Sequence, residues 1–181
     1  MGSLKNKWQD LPESFRMIPA ALIAALLLSR VLFVFSIVKG RSMVPSIPEN
    51  MIVIGSRLSY HQPPPERGDI VVFSHPGIEP FLIKRIAAIP GDRIRICGRL
   101  LWINGIPCAG NAAITKSEIP VQCREFGIPE EAFFVIGDNF PESNDSRIWE
   151  EPLVQRNDIV AKGLFFYQFP FQLKKIGSEV K

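Results

Sequence analysis

This chain of 181 residues has few histidines and cysteines and only a small net charge. It contains two histidines and three scattered cysteines with no Cys-x-x-Cys pair, so we expect neither a metal site nor any other cofactor. The formal net charge is only +3, and the basic residues are spread along the chain. This pattern excludes the dense basic surface that is typical of nucleic-acid-binding proteins.

A helical bundle is also disfavoured, because the chain has 16 prolines and 13 glycines. After Gly40 short apolar runs alternate with turn signals, and Asn104-Gly105 between two such runs predicts a tight type I′ hairpin. Residues 109–125 lack periodicity and are interpreted as an insertion. We therefore predict a mainly β fold. The predicted strands are Met51–Gly55, Asp69–Ser74, Phe81–Ile89, Arg93–Cys97, Leu100–Ile103, Ile106–Cys108, Ala132–Ile136 and Asp158–Phe169.

One long apolar run stands apart from this β pattern. Within residues 17–38 only Pro19, Ser29, Arg30 and Ser36 are not apolar. A bilayer core of about 30 Å needs about 20 apolar residues, so the run predicts a transmembrane helix. The alternatives are a buried core helix or a cleaved signal peptide, although the run does not end in the small residues of a cleavage site.

The charges in and before this run predict its placement. A charge at mid-bilayer costs about 2.5–3.5 kcal/mol. Arg30 is therefore expected near the outer interface, with residues 31–38 leaving the membrane as an extended strand. Basic residues before a first span favour a cytoplasmic N-terminus. We expect residues 1–16 in the cytoplasm, residues 17–38 as a plasma-membrane anchor, and residues 39–181 as an extracytoplasmic domain.

Four short segments beyond the run carry residues suited to catalysis. They are Lys39–Pro45 with Ser-Met-x-Pro, Arg67–Phe73 with Arg-Gly-Asp-Ile-Val, Phe81–Ile86 followed by Pro90–Asp92, and Phe134–Asn139 followed by Ser143–Arg147. Each segment alone is weak, because most loop serines and strand lysines are simply solvated. Together and in this order they resemble the type I signal peptidase family, membrane-bound serine peptidases with a Ser–Lys dyad. The resemblance implies an all-β catalytic domain behind one N-terminal transmembrane helix.

The resemblance implies that Ser42 is the nucleophile and Lys84 the general base, with Ser143 holding the lysine amine by a hydrogen bond. A serine hydroxyl is a poor nucleophile and needs a base. The two histidines, His61 and His75, lie in proline-rich turns and are interpreted as surface residues. A lysine can serve instead if burial lowers its pKa, which the aliphatic neighbours of Lys84 favour.

The resemblance also implies roles for residues around this dyad. Structural residues near the site are Gly40, Gly137, Asp138, Asp145 and Arg147, the last two as an ion pair. Family members cleave after Ala-x-Ala-like motifs in exported preproteins, and the pocket candidates are Ser36, Val38, Met43, Leu82 and Ile83. The Ser42 N–H is expected to bind the oxyanion. The second donor stays open, because Gly40 lacks the hydroxyl that some members have there. The implied partners are signal peptides and the lipid bilayer, with no nucleic acid.

Three departures from the family pattern keep alternatives open. Arg41 is bulky, Phe140–Glu142 replaces a more polar stretch, and Glu150 stands where glycine is usual. They suggest a specialised member that serves a conjugation or pilus system or an organellar membrane. A catalytically inactive, membrane-tethered homologue is less consistent with the retained dyad. A self-cleaving repressor would need a DNA-binding head, which the sequence does not offer.

The cysteines predict one disulfide. Cys97 and Cys108 are expected on strands that flank a common neighbour, about 9.6 Å apart, which exceeds the roughly 7 Å limit between bridged Cα atoms. Cys108–Cys123 is therefore the predicted bridge. No cysteine has a histidine partner that would make it a nucleophile.

Overall fold

The computed structural model describes residues 12–60, 63–76, 78–113, 122–168 and 172–176. The chain divides into two units, Met1–Phe33 and Val34–Lys181. The first contains helix α1, Glu13–Leu32, in which leucine and alanine, both strong helix formers, predominate. The helix ends where Phe33 adopts extended backbone, with φ −124° and ψ 153°.

Helix α1 differs in extent from the predicted segment. Its large apolar side chains are exposed within the described chain, among them Leu22 (59%) and Leu26 (66%). Among the residues that the structure describes, no helix combines the length and apolarity needed to cross a membrane. Helix α1 ends at Leu32 and Phe33–Ile37 forms strand β1, so only the first part of the predicted apolar run is helical. β-branched and aromatic residues favour that extended backbone, as expected for the residues after Arg30.

The second unit is mainly β, which confirms the predicted fold class. Its strands, with β1, are β2 (Ile52–Ser56), β3 (Ile70–His75), β4 (Ile78–Ala88), β5 (Arg93–Cys97), β6 (Leu100–Ile103), β7 (Ile106–Pro107), β8 (Cys123–Gly127), β9 (Ala132–Ile136), β10 (Val154–Gln155), β11 (Ile159–Gln168) and β12 (Gln172–Lys175). The larger sheet has the order β1-β2-β11-β3-β4-β9-β10, and β12 also pairs with β11. The smaller sheet has the order β7-β6-β5-β8.

Burial patterns explain where the two sheets pack. Buried and exposed residues alternate along strand β5. Ile94 and Ile96 are buried while Arg93 and Arg95 are exposed, as expected for a strand with one face towards solvent. All five residues of β9 are buried, because both of its faces are covered. One apolar cluster joins residues of β4 and β9 in the larger sheet to residues of β5 and β6 in the smaller one. The smaller sheet therefore packs beside β9, the strand in which the last motif begins.

The predicted hairpin is confirmed, with Asn104 and Gly105 at φ 53° and 81°. The interpretation of residues 109–125 as an insertion missed β8, whose first residues fall inside it. Strand β8 pairs with the edge of β5 that β6 leaves open, which places Cys123 directly opposite Cys97.

The predicted Cys108–Cys123 disulfide is therefore wrong. Cys97 and Cys123 form the bond, with their Cα atoms 4.3 Å apart. Cys108 lies just after β7, two strands away from β5, and is a free, half-buried thiol. Cys97 and Cys108 are not bonded to each other, as predicted, but the partner of Cys97 comes from β8, a strand that local patterns did not predict.

Candidate active site

Ser42 lies on a loop that follows β1 and is closed by backbone hydrogen bonds. The Val38 N–H donates to the Met51 carbonyl at 2.8 Å, where the chain returns to the sheet. Inside the loop, the Ile47 N–H donates to the Met43 carbonyl at 2.8 Å, and both of these side chains are fully buried. Ser42 itself is half-buried. Backbone pairing and apolar burial therefore hold the serine while leaving it accessible.

Lys84 lies in β4, where it pairs in register with Val71 of β3. Only 3% of the residue is exposed, and its Nζ donates to the Ser143 Oγ at 3.1 Å. Burial lowers the pKa of Lys84 from its ordinary value to about 8, while the charge of Asp145 raises it and that of Arg147 lowers it. A useful fraction of this amine is thus neutral at mildly alkaline pH.

Ser143 lies on the loop that follows β9, which spans residues 137–147 and is called here the β9 loop. The residue is fully buried, and its N–H donates to the Asn139 carbonyl at 2.9 Å. Its hydroxyl accepts the Lys84 hydrogen bond, so the β9 loop sets the direction of the lysine amine.

Gly137 lies where the loop that carries Ser42 meets the β9 loop. A Cβ at this position would lie 2.2 Å from the Ser143 Oγ and 2.4 Å from the Ser42 carbonyl oxygen. Real Cβ atoms do not approach other atoms so closely, and one of these neighbours is backbone. Only glycine lets Ser42 and Ser143 approach each other in this way.

Asn139 links the same two loops by hydrogen bonds. Its N–H donates to the Ser42 carbonyl at 2.9 Å, and its Nδ2 donates to the Arg41 carbonyl at 3.1 Å. Its contact with the serine loop joins residues far apart in the chain, so no local pattern could have revealed it.

Two ion pairs stabilise the surroundings of Lys84. Asp145 and Arg147 are both completely buried, and their side chains meet at 2.9 Å (Nε–Oδ1) and 2.8 Å (Nη2–Oδ2). Asp138 pairs with Arg85, the residue after the lysine, at 2.7 Å and 2.6 Å. Sequence reasoning did not assign a role to Arg85, although its place beside Lys84 was the available signal.

Arg85 also explains why the second motif lies near the site. Its Nη1 donates to the Gly68 carbonyl at 2.8 Å, which ties the Arg-Gly-Asp turn to the strand that carries the lysine. Asp69 of that turn accepts a hydrogen bond from the Tyr60 hydroxyl at 3.0 Å and forms an ion pair with Lys162 at 2.6 Å. The turn thus supports β4 through Arg85, and none of its residues lines the groove that contains Ser42 and Lys84.

A groove of about 560 Å³ brings the remaining predicted residues together. Ser42 and Lys84 line it, and so do all five pocket candidates, Ser36, Val38, Met43, Leu82 and Ile83. Phe35, Ile37, Lys39 and Phe81 complete the described lining. Most of these side chains are apolar, so the groove suits apolar groups beside the serine. No cluster of metal-ligating side chains occurs among the described residues.

Comparison with known proteins identifies the family. The family model described as signal peptidase, peptidase S26, matches residues 11–168. The chain belongs to the S26 signal peptidase family. This membership confirms the predicted resemblance to type I signal peptidases and the assignment to the serine peptidases.

Several bacterial signal peptidases are similar to this S26 member. Signal peptidase I of Bacillus caldolyticus is 34% identical over 162 residues, which cover 78% of this chain and 86% of the relative. Probable signal peptidase I-1 of Synechocystis sp. is 27% identical over 175 residues, with 92% and 87% covered. Signal peptidase I of Leptolyngbya laminosa is 32% identical over 135 residues, which cover 70% of this chain and 64% of that protein.

One solved structure is also similar to this S26 member. The crystal structure of a signal peptidase I from Enterococcus faecalis V583 is 26% identical, with a TM-score of 0.43. The match covers 55% of this chain and 97% of the other.

The conformation of Gly40 bears on the open question of the second oxyanion donor in this S26 chain. Gly40 has φ 91°, a backbone region that strains any L side chain, and its N–H donates to the Glu49 Oε1 at 3.1 Å. The serine that some family members have at this position would be strained here. A glycine therefore suits this loop better than a residue with a donor side chain.

Proposed function

We propose that this chain is an endopeptidase that removes N-terminal signal peptides from exported preproteins, with Ser42 as nucleophile and Lys84 as general base. The observation that supports it most is the buried lysine, with its lowered pKa, in the same groove as the serine. The names of the similar proteins, which are signal peptidases, support the substrate class.

The proposed chemistry needs a neutral Lys84. Nζ takes the proton of the Ser42 hydroxyl while the serine oxygen attacks the scissile carbonyl, giving a tetrahedral oxyanion near the Ser42 N–H. The protonated lysine then donates to the leaving amine, and an acyl ester remains on Ser42. Water, deprotonated by the lysine, hydrolyses the ester. Ser143 keeps the amine oriented through both steps by its 3.1 Å hydrogen bond.

We propose that the groove selects small residues near the cleaved bond, as in Ala-x-Ala motifs. Met43 is completely buried and Ile83 is 7% exposed, so these side chains form fixed walls rather than movable ones. Strand β1 lies at the edge of the larger sheet, and its residues 35–37 line the groove. An extended peptide can pair with such an edge and direct alternate side chains inward.

We also propose that the chain is anchored in the plasma membrane through the helical part of the apolar run, residues 17–32, with its N-terminus in the cytoplasm and the β unit outside. The support is the composition of the run and the exposed leucines of α1. Carbonate extraction of membranes and protease protection of tagged termini test this placement. A chain released by carbonate, or a cytoplasmic C-terminal tag, would contradict it.

The direct test of the function is to incubate the purified full chain, in detergent, with a preprotein and to map the cleaved bond by mass spectrometry. We expect one cut after the signal peptide, following a small residue, and no cut with Ser42→Ala. Cleavage at unrelated sites, or equal cleavage by Ser42→Ala, would contradict the proposal.

A specialised substrate range is the second candidate, and one feature of the site supports it. Arg41, beside the nucleophile, lies 4.0 Å from Glu142 of the β9 loop, and both side chains are largely exposed. These are two of the positions that depart from the family pattern. A panel of signal peptides with acidic or basic residues around the cleavage site would show whether this charged pair selects substrates.

A further inference from the structure

We propose that Arg99 is a positioning residue for the general base: it holds the β9 loop around Ser143 and so orients the amine of Lys84. The inference rests on the proposed function, because the role concerns the same cleavage reaction. Arg99 lies in the turn between β5 and β6 of the smaller sheet, and it does not line the groove. Its effect on the reaction must therefore pass through other residues.

The contacts of Arg99 surround Ser143. Its Nη1 donates to the Pro141 carbonyl at 2.9 Å and to the Ser143 carbonyl at 3.1 Å. In the opposite direction, the Arg147 Nη1 donates to the Arg99 carbonyl at 3.2 Å. One nitrogen of the guanidinium thus fixes two carbonyls of the β9 loop, and the loop in turn fixes the backbone of Arg99.

The turn that presents Arg99 is itself firmly supported. Cys97, two residues earlier, is bonded to Cys123 of the neighbouring strand β8. Leu100 and Leu101, which follow, are buried, Leu101 in the cluster between the two sheets. Groups that orient a reacting side chain work best when they stand on rigid elements.

The path from Arg99 to the lysine has two steps. Arg99 holds the carbonyl of Ser143, while the Ser143 N–H is held separately by Asn139. The Ser143 hydroxyl then accepts the hydrogen bond of Lys84. Loss of Arg99 frees one side of Ser143, and a displacement of about 1 Å at a catalytic group can lower a rate roughly 10²-fold.

Arg99 acts through its hydrogen bonds to the β9 loop and not through its charge. The charged residues that shift the pKa of Lys84 are Asp145, Arg147 and Asp138. Removal of the Arg99 charge should therefore leave that pKa unchanged unless the surroundings of the lysine move. A looser β9 loop would admit water, reduce the desolvation of the ammonium and raise the pKa towards its ordinary value.

The experiment compares Arg99→Ala and Arg99→Lys with a matched control, Arg95→Ala. Arg95 lies in the same sheet, is largely exposed and pairs with Glu125 at 3.3 Å, outside the β9 loop. With a signal-peptide substrate we expect Arg99→Ala to lower kcat roughly tenfold or more and to leave KM within about twofold. Arg99→Lys keeps the charge on a shorter side chain, so its kcat should fall between those of Arg99→Ala and the wild type, and Arg95→Ala should match the wild type.

A second measurement does not depend on turnover. Side-chain ¹⁵N NMR of the Lys84 Nζ, recorded against pH, should show a higher pKa in Arg99→Ala than in the wild type and no change in Arg95→Ala. If wild-type protein cleaves no signal peptide, the proposed function fails, while this titration still decides the role of Arg99.

The following outcomes would overturn the inference. One is a wild-type kcat together with a wild-type Lys84 titration in Arg99→Ala. Another is a raised KM with unchanged kcat in Arg99→Ala. The third is a loss of kcat in Arg95→Ala equal to that in Arg99→Ala. If Arg99→Ala does not fold, Arg99→Lys decides by the same criteria, because the shorter lysine side chain does not bring its nitrogen to the position of the Arg99 Nη1.

Discussion

Two loops meet at the candidate active site, one carrying Ser42 and the other, the β9 loop, carrying Ser143. Different interactions hold them in place. The serine loop depends on backbone hydrogen bonds and on the buried side chains of Met43 and Ile47. The β9 loop depends on charged groups, above all the completely buried pair of Asp145 and Arg147. The nucleophile thus lies on an apolar support, and Ser143, which orients the base, lies on an ionic one.

The difference follows from what each catalytic group needs. A nucleophile needs a fixed backbone and an accessible hydroxyl, which apolar packing below the loop provides. A lysine base needs a dry site that still contains oriented polar groups. The ion pair meets both needs, because Asp145 raises the pKa of Lys84 and Arg147 lowers it, so burial remains the leading influence.

The largest effect should come from removing either catalytic group. Ser42→Ala and Lys84→Ala should each abolish cleavage of a signal-peptide substrate and leave the circular dichroism spectrum unchanged. Because the two groups act as one unit, the double variant should lose no more activity than either single variant. Near-wild-type turnover in either variant would show that the dyad is assigned wrongly.

Breaking the ionic support should cost much more stability than breaking an exposed ion pair. Asp145→Ala leaves the buried Arg147 unpaired and should lower the free energy of unfolding by about 3–5 kcal/mol. The matched control is Glu125→Ala, which removes the exposed pair with Arg95 and should change it by at most about 1 kcal/mol. Urea denaturation measures both. Equal midpoints would mean that charge does not hold the β9 loop.

Ser143→Ala should weaken the base side of the site and spare the nucleophile side. We expect kcat to fall roughly 10²-fold, as for loss of a group that positions a proton transfer, with little change in KM. Steady-state kinetics on the same substrate measure both constants. If kcat is unchanged, the hydrogen bond from Lys84 to Ser143 has no part in catalysis.

Gly137→Ala tests the point where the two loops meet. The added methyl group would collide with the Ser143 Oγ and the Ser42 carbonyl, and overpacking of this kind costs about 1–3 kcal/mol. At Gly127 the same methyl group would find its nearest neighbour, the Asp92 carbonyl oxygen, at 3.9 Å, which makes Gly127→Ala the matched control. The midpoint temperature of thermal unfolding and kcat should both fall for Gly137→Ala, and neither should fall for Gly127→Ala.

The smallest expected effect is the pH dependence of the wild type. Lys84 acts only when neutral, so kcat should rise as the pH rises through about 8, the pKa of the buried amine. Between pH 7 and pH 9 the rise should be about tenfold, the change in the neutral fraction of one group. A stopped assay at constant ionic strength measures it. A maximum in acid would point instead to a carboxylate base.

Local patterns in the sequence determined much of the fold and the catalytic candidates. Alternation of charged and apolar residues predicted β5 at its observed bounds, and Asn104-Gly105 predicted the hairpin after β6. Such features depend on neighbours two residues apart or on the backbone preference of a turn residue, so the chain carries them before it folds. The four motifs pointed to Ser42, Lys84 and Ser143 through the family that they resemble.

Only the tertiary structure decided how these pieces meet. The pairing of β8 with β5 selected Cys97 as the partner of Cys123, and packing of the smaller sheet brought Arg99 against the loop of Ser143. The lowered pKa of Lys84 is also a tertiary property, because burial among distant residues causes it. Contacts between residues far apart in the chain depend on which surfaces pack together, and a linear pattern does not contain that information.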